Sequence, residues 1–172
     1  RAMLGTCRMA EARIHQVVDR FGKGTLEESI RELQDRNERR MRQGISRLPP
    51  GEYVHETYLE GGKKELQPLL LHLKLTVEGE EILADFTGTC SQVPSPTNAG
   101  PGVLPAPVFV VAKSFLDPEA EINHGCLRPI QVTAPVGTMV NCRLPAPCGG
   151  AGEARRIMEA VAMAAIAPAG EG

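Results

Sequence analysis

Tryptophan is absent from the sequence, and aromatic residues supply only 3% of it. A core without large rings must be built from Leu, Ile, Val, Met and Ala. An excess of one charge is lacking too, since 19 Lys and Arg stand against 21 Asp and Glu. That balance argues against a nucleic-acid partner, which leaves a basic footprint. No apolar run is long enough to span a bilayer, and no signal-peptide pattern is present, so no membrane role is expected. No G-x-x-x-x-G-K-[ST] occurs, which removes the phosphate loop of that type. The five cysteines, Cys7, Cys90, Cys126, Cys142 and Cys148, are odd in number and irregular in spacing. A cytoplasmic protein with reduced thiols is the default for such a set.

What is present fits one domain. The 172 residues suffice for a single core. Leu4, Cys7, Ile14, Val17, Val18 and Phe21 recur at helical spacing, and Gly22 offers a C-cap. Thr25 to Glu28 reads as a capping box for a second helix, whose stripe is Leu26, Ile30, Leu33, Met41, Ile45 and Leu48. Pro49-Pro50 ends it. The basic cluster of Arg36, Arg39, Arg40, Arg42 and Arg47 suits the far end of that helix's dipole.

The period then changes to two. Residues 51–60 read as a strand, and Leu69, Leu71, Leu73, Leu75 and Val77 alternate with more polar neighbours. Glu78-Gly79-Glu80 makes a hairpin turn into Ile82, Ala84 and Phe86. Glycine and proline crowd residues 88–152. There the spacing predicts a helix from about Pro107, a short strand at Ile130 to Ala134, a turn at Pro135 to Thr138 and a return strand at Met139 to Arg143. A last helix is expected over Ala154 to Ala167. The fold class is therefore α+β over residues 1–172. A helical hairpin occupies 1–50, and 51–172 hold an antiparallel sheet and a loop-rich second half with further helices.

Chemistry-bearing residues gather in three loops, 88–100, 121–128 and 145–153, which are expected to share one polar face. His124 and Cys126 form an H-x-C pair. With Cys142 and Cys148 they could ligate zinc, or His124 could activate a Cys126 nucleophile. The alternative is a set of small buried thiols and a loop that only holds its shape. Asp85 to Thr89 fits a strand end feeding a turn. Gly149 to Gly152 before a helix could present N–H groups to an anion or serve as a plain connector.

In order, "ADFTGT", "NAG", "FLDP", "NHGCLRPIQVTAPVGTMVN" and "RIMEAVAMAA" resemble the hydantoinase B family, which includes the C-terminal half of 5-oxoprolinase and subunits of acetone and acetophenone carboxylases. Asp85 to Thr89, Asn98-Ala99, Asn123, Gly125, Cys126, Arg128 to Ile130, and Ala134-Pro135 with Gly137-Thr138 carry the match. The resemblance implies a segment of a longer subunit, inactive alone, of an ATP-dependent cyclic-amide hydrolase of the hydantoin or 5-oxoproline ring-opening type. It implies a hydantoinase-A-like ATPase subunit or half as partner, binding ATP with Mg, in an oligomeric assembly. There the amide oxygen is phosphorylated before water opens the ring. No metal is assigned to this segment, because the family's ligands lie mostly in an N-terminal region. Asn98, Asn123 and Arg128 are the expected substrate-binding contacts; Arg128 could fork onto a carboxylate or phosphoryl oxygen, or tie its loop to an acid or carbonyl.

Two departures stand out. Gly149 to Arg155 replace an amide- and hydroxyl-rich run before the last helix, and three prolines follow Asn98-Ala99. The eroded run before the last helix favours one alternative, a non-catalytic scaffold or assembly domain. The other, a carboxylase subunit of the acetone/acetophenone type, follows from the resemblance itself, and no residue separates it from the hydrolase.

Overall fold

The structure, a computed structural model, describes residues 2–60 and 67–167. From Pro168 onward the closing residues lie outside them. The elements run α1 (Ala2–Phe21), α2 (Lys23–Ile45), β1 (Gly51–Leu59), β2 (Leu69–Glu78), β3 (Glu81–Asp85), α3 (Pro105–Leu116), a 3-10 turn (His124–Leu127), β4 (Ile130–Thr133) and α4 (Ala151–Ile166).

Four strands form one sheet in the order β1-β2-β3-β4. The expected antiparallel pairing holds for β1 with β2 and for β2 with β3. The addition is β4, which joins β3 in parallel, Ile82 opposite Ile130 and Ala84 opposite Val132. It has to, because α3 and the loops between β3 and β4 carry the chain back before β4 enters. Gly79, at φ 59°, makes the tight β2–β3 turn that a side chain would strain.

The period-two pattern is realised in full. Leu71, Leu73 and Leu75 have no exposure, and complete burial of each such side chain contributes about 1.5–3 kcal/mol. They face α4, which packs on β1 and β2 and against α3. From α4 itself, Met158, Val161, Ala162 and Ala165 enter this core.

Three expectations are corrected. Thr25 does not cap α2. Gly22, at φ 82° and ψ 145°, turns the chain within one residue, so α2 starts at Lys23 and Thr25 falls inside its first turn. The expected return strand at Met139 to Arg143 does not form. Thr138 instead makes isolated bridges to Ser91 and Asn141, because this segment is laced to the 90–99 loop. Most of the apolar stripe on α1 and the first half of α2 is uncovered. Nothing in α1 is buried, and the buried residues of α2 begin only at Asn37, with Met41, Gly44 and Ile45. Two helices differ only in their bounds: α3 begins at Pro105, where proline is tolerated in a first helical turn, and α4 runs Ala151–Ile166 rather than from Ala154.

Candidate functional site

Two loops form a platform beside the sheet. The backbone N–H of Ala99 donates to Met139 O (2.7 Å), that of Cys142 to Ala99 O (3.0 Å), that of Gln92 to Gly137 O (2.8 Å) and that of Gly150 to Pro96 O (2.7 Å). Arg143 N donates to the Gln92 side-chain oxygen at 3.0 Å. Asn98 sits beneath with no exposure. Its Oδ1 accepts from Val93 N (2.8 Å), while the carbonyls of Val93, Ser95 and Pro147 lie 2.8, 2.9 and 2.9 Å from Nδ2. Two hydrogens serve three acceptors there, so one is shared. Val93 and Pro147 line an open hollow of 360 Å³, together with Gln92, Pro94, Pro145 and Ala146. No lining side chain titrates, so the hollow can hold a group but cannot move a proton. Gly150 abuts Pro96 O, and the Gly149–Gly152 stretch thus closes the platform rather than hanging free.

The family-like turns are built by side chains bonding their own backbone. Asp85 Oδ1 accepts from Thr87 N (2.9 Å) and Thr87 Oγ1 (2.7 Å), and Thr133 Oγ1 reaches it at 3.3 Å. Burial raises this carboxyl, but the Thr87 and Thr133 bonds together with Lys74 hold it below the usual range. Thr89 Oγ1 meets both the N–H and the carbonyl of His72. Thr138 Oγ1 donates to Pro135 O and Asn141 Nδ2 to Ala134 O, each at 2.8 Å.

The 121–128 loop lies elsewhere, on α2, so the single polar face expected of three loops is divided. Asn123 Oδ1 accepts from Gly125 N at 2.9 Å and caps the 3-10 turn, while its Nδ2 donates to Leu33 O at 3.3 Å. Arg128 donates to Asp35 (2.6 Å), Glu38 (2.9 Å) and the Gln34 side chain (2.9 Å). Between them, Gly125 meets the α2 backbone so closely that a Cβ would stand 1.9 Å from Gln34 O. Glu38 also pairs with Arg42, which reaches Glu81 on β3 at 3.1 Å. The hydrogen bond from Arg128, followed by the Arg42 interactions, lowers the Glu38 carboxyl despite some burial.

The structure therefore brings Asn123 and Arg128 together and puts Asn98 in the separate platform. All three hydrogen-bond to this chain's own groups. His124 and Cys126 are not brought together. The turn between them is 3-10 rather than extended, leaving His124 exposed and Cys126 fully buried, its Sγ 3.6 Å from Glu121 O. Among the described residues, no three His, Cys, Asp or Glu side chains cluster to hold a metal ion.

The basic cluster does more than suit a dipole. Arg40 forks onto Asp117 at 2.6 and 2.7 Å, and that bond, outweighing burial, lowers the Asp117 carboxyl. Lys113, buried in α3, donates to the Asp117 and Pro118 carbonyls. The acids on α2 that hold Arg128 were missed in the sequence. A usable signal was Asn37, which occupies the i+4 row of Leu33, Met41 and Ile45. It is 1% exposed and donates to Glu121 O at 2.6 Å.

The sequence model described as hydantoinase B/oxoprolinase matches residues 1–171. The chain belongs to that family. It is 29% identical over 160 residues to a polypeptide of Pseudomonas sp. (strain NS671) assigned as the B component of a D-/L-hydantoinase, covering 85% of this chain and 26% of that protein. With the beta chain of the caprolactamase of Pseudomonas jessenii it is 28% identical over 147 residues, 85% of this chain and 25% of the relative. The solved structure of ATP-dependent caprolactamase from Pseudomonas jessenii superposes with a TM-score of 0.87 at 25% identity, over 96% of this chain and 29% of that one. A nucleotide-free acetone carboxylase gives 0.69 at 16% identity, which is a likeness of fold. This hydantoinase B/oxoprolinase chain thus spans about a quarter of the length of the first two relatives.

Proposed function

We propose that this chain is part of a cytoplasmic subunit that opens a cyclic amide in an ATP-dependent complex, together with an ATPase subunit or half of the hydantoinase A kind. The observation carrying this reading is the 0.87 superposition on an ATP-dependent caprolactamase across 96% of the chain, joined to the family match. Hydantoinase, 5-oxoprolinase and caprolactamase relatives share one chemical denominator, a ring amide. A ring amide resists water because its nitrogen lone pair is delocalised into the carbonyl. Phosphorylation of the amide oxygen by the partner would remove that resistance and leave a carbon open to water. This segment's share is positional, a reading supported by a platform hollow lined by no titrating side chain.

Asn98, Asn123 and Arg128 act through the loops they hold rather than by touching substrate. Their bonds to this chain's own groups support this. The test uses the complete subunit with its ATPase partner. ATP turnover is measured with hydantoin, 5-oxoproline or caprolactam, and separately with a ketone plus bicarbonate. Stimulation by a cyclic amide with ring-opened product in step is expected. Stimulation by ketone and bicarbonate alone would replace the hydrolase by a carboxylase, and no stimulation by either would leave a scaffold. For the positioning role, Arg128→Ala should lower thermal stability and activity together, with KM for the amide unchanged. A raised KM at unchanged stability would make Arg128 a substrate contact instead.

A further inference from the structure

Two thiols stand in contact at the edge of the platform. Cys142 Sγ and Cys148 Sγ are 3.1 Å apart, though neither is in a disulfide. Their approach is imposed by the backbone on both sides. Cys142 N is fixed to Ala99 O, and Gly150 N, two residues beyond Cys148, is fixed to Pro96 O. In the segment joining the two cysteines, Pro147 O accepts from Asn98 Nδ2 at 2.9 Å. The two differ in access, for Cys142 is 8% exposed whereas Cys148 is open to solvent.

We propose that Cys142 and Cys148 form a reversible thiol-modification site, in which a small disulfide such as glutathione disulfide converts the pair into an intrachain disulfide that fastens the platform loop. In the first step the exposed Cys148 thiolate attacks one sulfur of glutathione disulfide. A mixed disulfide forms and one glutathione leaves as thiolate, taking up a proton from water. In the second step Cys142, its proton lost to solvent, attacks the Cys148 sulfur, and the second glutathione leaves. The two protein thiols lose two electrons and two protons, and glutathione disulfide gains them as two glutathione thiols. The order follows from access. It agrees with the Cys142 thiol being pushed up to about 11 by burial and then by the neighbouring Cys148, which makes it the slower attacker. Bonding requires the sulfurs to close to about 2.05 Å, roughly one ångström of travel within a single turn.

The complete native subunit, reduced, desalted and exposed to glutathione disulfide, is alkylated and cut with trypsin without reductant. Arg143 lies between the two cysteines, so they fall on separate peptides, 114–143 and 144–155. The expected product is these two peptides joined, with fragmentation placing the bond at Cys142 rather than Cys126, and dithiothreitol releasing them. Cys142→Ser should leave glutathione on Cys148, and Cys148→Ser should abolish the link. In the unaltered protein, a stable glutathione adduct on Cys148, a link from Cys148 to Cys7, Cys90 or Cys126, or no modification would each overturn the proposal.

Discussion

Helices α1 and α4 carry the same kind of sequence signal and have opposite fates. Both set apolar side chains at helical spacing, over 20 and 16 residues. On α4 the stripe becomes core, with Ala154, Met158, Val161, Ala162, Ala165 and Ile166 all buried. On α1 no residue is buried, and Leu4, Met9, Ile14 and Phe21 are all more than half exposed. The cause is what lies opposite. α4 faces a sheet whose β2 strand turns five aliphatic side chains toward it, and α3 closes its flank. Among the described elements α1 packs mainly on α2, and that pairing leaves its apolar stripe uncovered. Periodicity states which face of a helix is apolar; it does not supply the cover.

The largest break of this contrast is expected at its hinge, where α2 passes from the uncovered half to the covered half. Gly125→Ala would drive a methyl group into the Gln34 carbonyl, a backbone atom of α2 that cannot yield as a flexible side chain would. Overpacking ordinarily costs about 1–3 kcal/mol, and contact with a helix backbone puts this substitution at or beyond the upper end. Either the 3-10 turn leaves α2, releasing Arg128 from Asp35 and Glu38, or the chain fails to fold. Chemical denaturation reads the cost, and an unchanged midpoint would mean that the turn does not rest on α2. Within the covered region, Met158→Ala removes a side chain with no exposure from the contact of α4 with the sheet. A loss of about 2–5 kcal/mol is expected from the lost burial and the cavity left behind.

A smaller effect tests by pH how the covered half of α2 is tied to the rest of the chain. Glu38 and Asp117 both lie below their ordinary range, held there first by hydrogen bonds from Arg128 and Arg40 respectively. A carboxylate lowered in the folded state contributes stability that is complete above its unfolded value, about 4.3 for Glu and 3.9 for Asp. That contribution is lost as pH falls through the folded value. The thermal midpoint should therefore hold from neutrality to about pH 5 and fall in more acid solution. Glu38→Gln should flatten part of that fall. If the variant and the parent lose stability in parallel, the Arg128–Glu38 tie is not the acid-sensitive element.

The same division decides what was legible in the sequence. Strand β2 was, because alternation of leucines at period two has one physical meaning when one face is covered. The ordered motifs around Asp85, Asn98 and Asn123 were also readable as family features, since each side chain makes part of its bonding to backbone within five residues, although Asn98 and Asn123 also reach distant carbonyls. The partners of Arg128 were not. They lie about 90 residues earlier, on a helix where acids and arginines alternate so closely that no pairing stands out. Nor could spacing tell that the 121–128 loop would sit on α2, apart from Asn98. That placement is set by bonds to α2 about 90 residues earlier, a tertiary choice that no local pattern records. Cys142 and Cys148 were visible as a C-x5-C spacing, but their contact depends on backbone bonds to residues 96 and 99, which no spacing rule contains.

The mildest substitution bears most directly on the opening contrast. Ile14 is 59% exposed on α1, and Ile14→Ala removes an apolar side chain that the chain does not cover. Two small terms remain. The lost methyl groups forfeit little burial, and alanine favours the helix over a β-branched residue by a few tenths of a kcal/mol, about the span separating them in host–guest peptides. The expected change is within about 0.5 kcal/mol, the usual range for a surface site, with any shift toward greater stability. A loss comparable to that of Met158→Ala would overturn the comparison, because it would mean that Ile14 is covered in solution. Repeating the melt over a range of protein concentrations then separates the causes. A midpoint that rises with concentration would place a second copy over α1, whereas one independent of concentration would require α1 to fold onto its own chain in a way different from the structure described.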